Sequence, residues 1–373
     1  MNSPPPVPLC AQDYADLARA RLDPAIWAWL ESGSADQLTA QDNQQAYARL
    51  KLRSRVLRPL QGAHTRLTLA GQALRHPILI APSAWHGLVH PEAEQATALA
   101  AAATGTLLVL SAQSGTPIET LAALPAPPTI WFQLYAQARP EDTLALAERA
   151  IRAGAQALVL TVDAPVNGIR NAEQRSGFRC PPHIRSVHLD GLSPAQARPT
   201  PPGGSPLFDS GLLDVAPTWD TVTWLRQQFP QVPLWLKGIL DPEDARLAMQ
   251  HGASGLIVSN HGGRCLDTLP ATIEALPAIA RAVDGALPIL LDGGIRRGSD
   301  ILKALALGAQ AVLIGRPALH ALAVGGASGL AHLIQLLRGE LEVAMALTGC
   351  RTLDEIGPHV LWDKPGHGSA AAD

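Results

Sequence analysis

Leu256-Ile-Val-Ser-Asn-His-Gly-Gly-Arg-Cys-Leu-Asp267 is the stretch on which the reading of this chain turns. Its first residues are an apolar, partly β-branched run of strand length. They stop abruptly at Ser259-Asn-His-Gly-Gly-Arg264, the pattern of a buried strand that carries polar groups to the mouth of a site. His261 can exchange a proton near neutral pH, and Arg264 offers a fixed fork of donors suited to a carboxylate or phosphate. Gly262 and Gly263 let the main chain turn tightly or approach a flat ligand. Taken alone, the segment also reads as a capped strand end with a solvated His and Arg, so its neighbours must decide.

The same pattern recurs on both sides. Strand-like runs at residues 77–84, 107–112, 130–135, 157–163, 234–239, 256–260, 289–292 and 311–314 alternate with helix-like segments at 92–103, 118–124, 140–153, 219–228, 244–251, 272–283, 300–306 and 330–347. Eight strands alternating with eight helices predict an α/β chain closed into a (β/α)8 TIM barrel. An open doubly wound sheet is the alternative, but no GxGxxG turn follows the first strand. Ahead of the barrel, residues 11–50 carry helical periodicity, with Pro24 opening a segment of Ile26, Trp27 and Leu30 that stops at Ser32-Gly33. Residues 65–73 alternate like a short exposed hairpin around Gly71. The chain therefore divides into a helical N-terminal extension with its hairpin (1–75), the barrel (76–356) and a C-terminal tail (357–373). Residues 164–217, crowded with Pro, Gly, Ser and Arg, are too long for a compact connection and predict a mobile active-site loop after the fourth barrel strand.

Composition narrows the function. With 373 residues, 47% hydrophobic and 16% charged, the chain can bury a large core. A net charge of −3 gives no basic field for nucleic acid and no polybasic patch for a membrane. Residues 1–9 are Pro-rich without the charged and apolar regions of a secretory signal, and the alanine-rich run at 96–103 is too short to span a bilayer. A cytoplasmic protein is expected. Cys10, Cys180, Cys265 and Cys350 have no CxxC or zinc-like spacing, which predicts free thiols and no metal.

In a barrel the C-terminal strand ends converge on one face, so their residues are read together. They are Pro82-Ser83-Ala84, Ser111, Gln133 with Tyr135, Thr161 with Asp163, Lys237-Gly238, Ser259 to Arg264, Asp292-Gly-Gly294 and Gly315-Arg316. Each has a capping explanation, but eight coincidences at eight strand ends point to a site. Asp292-Gly-Gly-Ile-Arg296 and Gly315-Arg316 put main-chain N–H groups and guanidinium forks beside the last two strands, where barrels of this kind bind phosphate.

Phe132-Gln-Leu-Tyr135, Leu160-Thr-Val-Asp163, Leu236-Lys-Gly238, Ser259-Asn-His-Gly-Gly-Arg264, Asp292-Gly-Gly-Ile-Arg-Arg-Gly298 and Ile314-Gly-Arg-Pro317 together resemble the motifs of the FMN-dependent L-2-hydroxy acid oxidases and dehydrogenases, which include glycolate oxidase, lactate oxidase and mandelate dehydrogenase. The resemblance implies oxidation of a small 2-hydroxy acid with FMN as cofactor, oxygen or another electron acceptor to reoxidise it, and a homotetramer. His261 is then the base, Asp163 the carboxylate that stabilises its imidazolium, and Tyr135 a hydrogen-bond donor to the substrate. Lys237 lies at the polar edge of the flavin ring. Arg264 pairs with the substrate carboxylate, supported by Arg170. Pro82, Ser83, Ala84, Ser111, Gln133, Thr161 and Ser259 fall around the flavin, Asp292 on the ribityl chain, and Gly294, Arg296, Gly315 and Arg316 at the phosphate.

The chain also departs from the family. Trp29 stands where a substrate-binding tyrosine is usual, and reads either as a pocket wall or as a core aromatic beside Ile26 and Leu30. Gln113 replaces an aromatic residue and makes the side-chain pocket, which Ala84 also faces, more polar. Trp85 bears on the pocket only indirectly, and Cys265, in place of a common glutamine, carries no evident consequence. These changes predict a nonstandard hydroxy acid. They also leave open a flavin-dependent isomerase or monooxygenase, or a catalytically silent flavoprotein.

Overall fold

The computed structural model describes residues 7–193 and 195–362; the ends of the predicted extension and tail, residues 1–6 and 363–373, lie outside the described residues. The chain enters through three helices, α1 (Ala11–Arg21), α2 (Pro24–Glu31) and α3 (Leu38–Arg49), and a hairpin of β1 (Leu67–Leu69) and β2 (Gln72–Leu74). Asp23 caps α2, its carboxylate accepting from the N–H groups of Ala25 and Ile26 ahead of the fixed φ of Pro24.

The barrel follows as β3 (Ile78–Ile80), α4 (Ala93–Thr104), β4 (Leu108–Ser111), α5 (Ile118–Ala122), β5 (Ile130–Leu134), α6 (Pro140–Arg152) and β6 (Leu158–Thr161). After a long loop holding α7 (Asn171–Arg175) come α8 (Trp219–Gln228), β7 (Leu234–Ile239), α9 (Pro242–Gln250), β8 (Gly255–Val258), α10 (Thr272–Val283), β9 (Ile289–Leu291), α11 (Gly298–Ala306), β10 (Ala311–Ile314) and α12 (Arg316–Thr348). All eight strands from β3 onward pair in parallel and close in the order β10-β3-β4-β5-β6-β7-β8-β9, the (β/α)8 TIM barrel that the alternation predicts. Most strands are shorter than their apolar runs, because the last residues of each run leave the ladder to form the barrel mouth.

The strand pleat sorts the side chains. Leu79, Val109, Trp131, Val159, Trp235, Ile257, Leu290 and Leu313 fill the lumen, while their neighbours, such as Ile80, Phe132, Leu236 and Val258, pack outward beneath the helices. Two residues beyond each lumen side chain the same parity delivers Ala81, Ser111, Gln133, Thr161, Lys237, Ser259, Asp292 and Gly315 to the mouth. The hairpin read as exposed is instead a plug: Leu69 and Leu74 are buried against the lumen cluster, because the open N-terminal end of the barrel needs an apolar cover.

Helix α12 corrects the sequence reading at its start. It begins directly at Arg316, kinks where Gly325 and Gly326 leave helical φ/ψ, and continues to Thr348. It is long and apolar enough to cross a membrane, but half of its most apolar window is buried in this fold, where it packs on α1, α4 and α11.

Candidate active site

Every residue to which the resemblance gives a catalytic, substrate or flavin role, except Asp163 and Ser259, lines one cavity of about 480 Å³ at the barrel mouth. Helix α2 roofs it through Trp29 and Leu30, and the long loop closes one side from Ala164 to Gly168 and at Arg170.

Asp163 stands just behind the wall. Its Oδ1 lies 2.8 Å from His261 Nδ1, and the Tyr135 hydroxyl is 3.5 Å from His261 Nε2. Burial opposes the charge on Asp163, but Lys237 and His261 outweigh it and hold the carboxyl below its ordinary range. Burial pushes the Tyr135 phenol up to about 12, so it remains a donor at neutral pH. Lys237 is 4% exposed, with Nζ 2.9 Å from Ser259 Oγ and 3.2 Å from Asp292 Oδ2. Burial works against its charge, yet the Asp292 and Asp163 carboxylates drive its pKa upward. The buried ammonium is therefore a fixed positive charge.

Ser111, Gln133 and Thr161 form a relay across neighbouring strands. Ser111 Oγ donates to Gln133 Oε1 at 3.0 Å, and Gln133 Nε2 donates to Thr161 Oγ1 at 2.9 Å. Ser259, fully buried at the end of β8, receives the Lys237 ammonium and the His261 main-chain N–H on Oγ and so positions both.

Four guanidinium groups crowd the far wall. Burial first, then Arg316 and Arg170, bring Arg264 down to about 9, and burial brings Arg296 down to about 10. Their partners were not legible in the sequence. The carbonyls that end α2 accept from two of them: Trp29 and Ser32 from Arg264 Nη1 at 2.9 and 3.0 Å, and Leu30 from Arg316 Nε at 3.1 Å. Glu173 on α7 binds Arg170 at 2.6 Å and stands 3.8 Å from Arg264, and Glu31 stands 3.8 Å from Arg316.

The aromatic residues divide differently from the sequence reading. Trp29 is both wall and core: it is buried, stacks on Trp85 and Phe178 with centroids 5.7 Å away in each case, and carries the Arg264 guanidinium over its ring. Trp85, expected to act indirectly, lines the cavity itself with φ of 54° and donates from Nε1 to Ser186 Oγ of the long loop at 2.9 Å. Cys265 is brought to the Asp163–His261 pair, with one ligand atom each from the three residues lying within 4.8 Å of one another.

Residues 18–363 match the model of the FMN-dependent dehydrogenases. The chain belongs to that family. It is 46% identical to an L-lactate oxidase of Roseobacter sp. (strain GAI101), with 99% of each chain covered. It is 40% identical to glycolate oxidase of Spinacia oleracea over 95% of this chain and 96% of that one. Among solved structures it is similar to a mandelate oxidase with benzoyl-formic acid, at a TM-score of 0.86 and 37% identity, covering 96% of this chain and 99% of the other. The family oxidises 2-hydroxy acids with FMN, and the site suits that cofactor. Asp292 Oδ1 is buried without a hydrogen-bond partner, an acceptor matched to a ribityl hydroxyl, and the guanidinium groups of Arg296 and Arg316 suit a phosphate.

Proposed function

We propose that this chain oxidises an L-2-hydroxy acid to the 2-oxo acid, with dioxygen reoxidising the flavin. The observation that carries the reading is the Asp163–His261 pair. A carboxylate at Nδ1 keeps the imidazole proton there and leaves the Nε2 lone pair free to take a proton from the substrate. Asp163 then stabilises the imidazolium. Arg264, with Nη1 held by the end of α2, is poised to bind the substrate carboxylate, with Arg170 beside it. Tyr135 donates to the substrate oxygen. When bound, FMN supplies the two-electron acceptor; Pro82, Ser83, Ala84, Ser111, Gln133, Thr161 and Lys237 would hold its ring, Asp292 its ribityl chain, and Gly294, Arg296, Gly315 and Arg316 its phosphate. The buried Lys237 charge favours electron density arriving beside it.

Trp29 and Gln113 support a substrate other than glycolate or simple L-lactate, with a side chain that meets an indole on one side and an amide on the other. A cytoplasmic homotetramer belongs to the same proposal; its four unpaired cysteines suit a reducing compartment. The test is anaerobic mixing of the flavin-loaded protein with a panel of L- and D-2-hydroxy acids. Bleaching of the oxidised flavin band by an L-acid, and its return with peroxide on readmitting air, is the expected result. A flavin that no acid bleaches overturns the proposal.

A further inference from the structure

We infer that Asp163, His261 and Cys265 form an inhibitory binding site for one thiophilic divalent cation of the zinc class. The inference rests on the proposed reading of His261 as the base.

The three side chains offer oxygen, nitrogen and sulfur, a donor set suited to a borderline-soft cation. One ligand atom from each lies within 4.8 Å of the other two, so modest rotations bring all three to a common ion. A second observation points the same way. Asp163 is nine-tenths buried, and while Oδ1 holds His261, its Oδ2 is buried with no hydrogen-bond partner. A cation satisfies that oxygen and offsets its burial. His261 and Cys265 both line the cavity, which supplies an entry path and room for a water as fourth ligand. Cys10, Cys180 and Cys350 take no part in any comparable cluster among the described residues.

Binding releases one proton to solvent as the Cys265 thiol becomes a thiolate on the metal. Its effect on His261 does not depend on which ring nitrogen ligates. A cation on Nε2 takes the lone pair directly; a cation on Nδ1 displaces the Asp163 hydrogen bond and forces the ring proton to Nε2. In both cases the base is lost.

The experiment is titration calorimetry of Zn2+ into the flavin-loaded enzyme without substrate, alongside the Cys265→Ala and Cys265→Ser variants, each checked for retained flavin. The expected result is about one Zn2+ per chain in the wild type, with affinity at least ~10-fold weaker in both variants. In parallel, Zn2+ should stop flavin bleaching by the hydroxy acid in the wild type, reversibly with a chelator. Equal affinity in the variants, or no heat of binding up to millimolar Zn2+, overturns the inference. Because the calorimetry involves no hydroxy acid, a failure of the proposed oxidation reads out separately, as wild-type enzyme that no acid bleaches even without zinc.

Discussion

His261, Gly262 and Gly263 take φ values of 58°, 64° and 76° in succession. A left-handed conformation costs a non-glycine residue about 1–2 kcal/mol, and here it turns the chain back at the end of β8 so that the imidazole meets Asp163 beyond β6. At Gly263 the need is steric as well, since a Cβ there would lie 2.5 Å from the main-chain N of Ala40. Asparagine tolerates this backbone best among side chains without a base. The His261→Asn variant should therefore fold and keep its flavin while anaerobic flavin reduction slows by about 10²–10⁴-fold. Stopped-flow absorbance checks this, and a variant that reduces flavin at the wild-type rate would remove His261 from the chemistry.

At the scale of elements, helix α3 is tied to the loop after β8 by a reciprocal amide pair. Asn43 Nδ2 donates to Asn260 Oδ1 at 2.8 Å, and Asn260 Nδ2 donates back at 2.9 Å. Asn43 Oδ1 also accepts from the Thr272 N–H that opens α10, and Asn260 Oδ1 from the Gly263 N–H. The same helix explains Gly294, where a Cβ would fall 1.8 Å from the Asn43 carbonyl oxygen. Asn260 is thus a structural tie within the Ser259–Arg264 motif. Asn43→Ala and Asn260→Ala should each destabilise the protein by about 1–3 kcal/mol, and the double variant by ~0.5–3 kcal/mol less than their sum. Denaturant unfolding of the four proteins measures the coupling; strictly additive losses would show that the pair does not act as a unit.

Across the whole molecule, buried histidines remote from His261 contribute to acid sensitivity. Burial, with Arg338 for His76 and Arg149 for His188, lowers each imidazole to about 4 from its ordinary 6.5. Between those values the unfolded chain binds protons that the folded chain refuses, so the contribution of these two histidines is fully present above about pH 6.5 and is lost as pH drops toward 4. The full loss is roughly 3 kcal/mol for each histidine. His188 shows the mechanism: its Nε2 accepts from the Ile118 N–H at 2.9 Å, a bond that protonation breaks, releasing the long loop from α5. His188→Gln, a neutral acceptor, should move the acid-unfolding midpoint to lower pH in circular dichroism. An unchanged midpoint would assign the transition to other groups.

The amino-acid sequence by itself determined the barrel and its working face. Alternation of apolar strands and helices requires only local pattern, and the pleat then sends residues of one parity, from Ser111 to Lys237 to Asp292, to a common mouth. Family motifs added the proposed roles of His261, Arg264 and Lys237. What only the tertiary structure decided are contacts between segments distant in the chain, for which periodicity carries no signal. Glu173 against Arg170 and Arg264, the α2 carbonyls under two guanidinium groups, Ser259 as a positioning residue, Trp85 on the cavity wall and Cys265 beside the Asp163–His261 pair all belong there. Local sequence sets which residues reach the mouth of the barrel; the partner each side chain finds depends on packing in three dimensions, because hydrogen bonds and charges act over a few ångströms of space however many residues separate them.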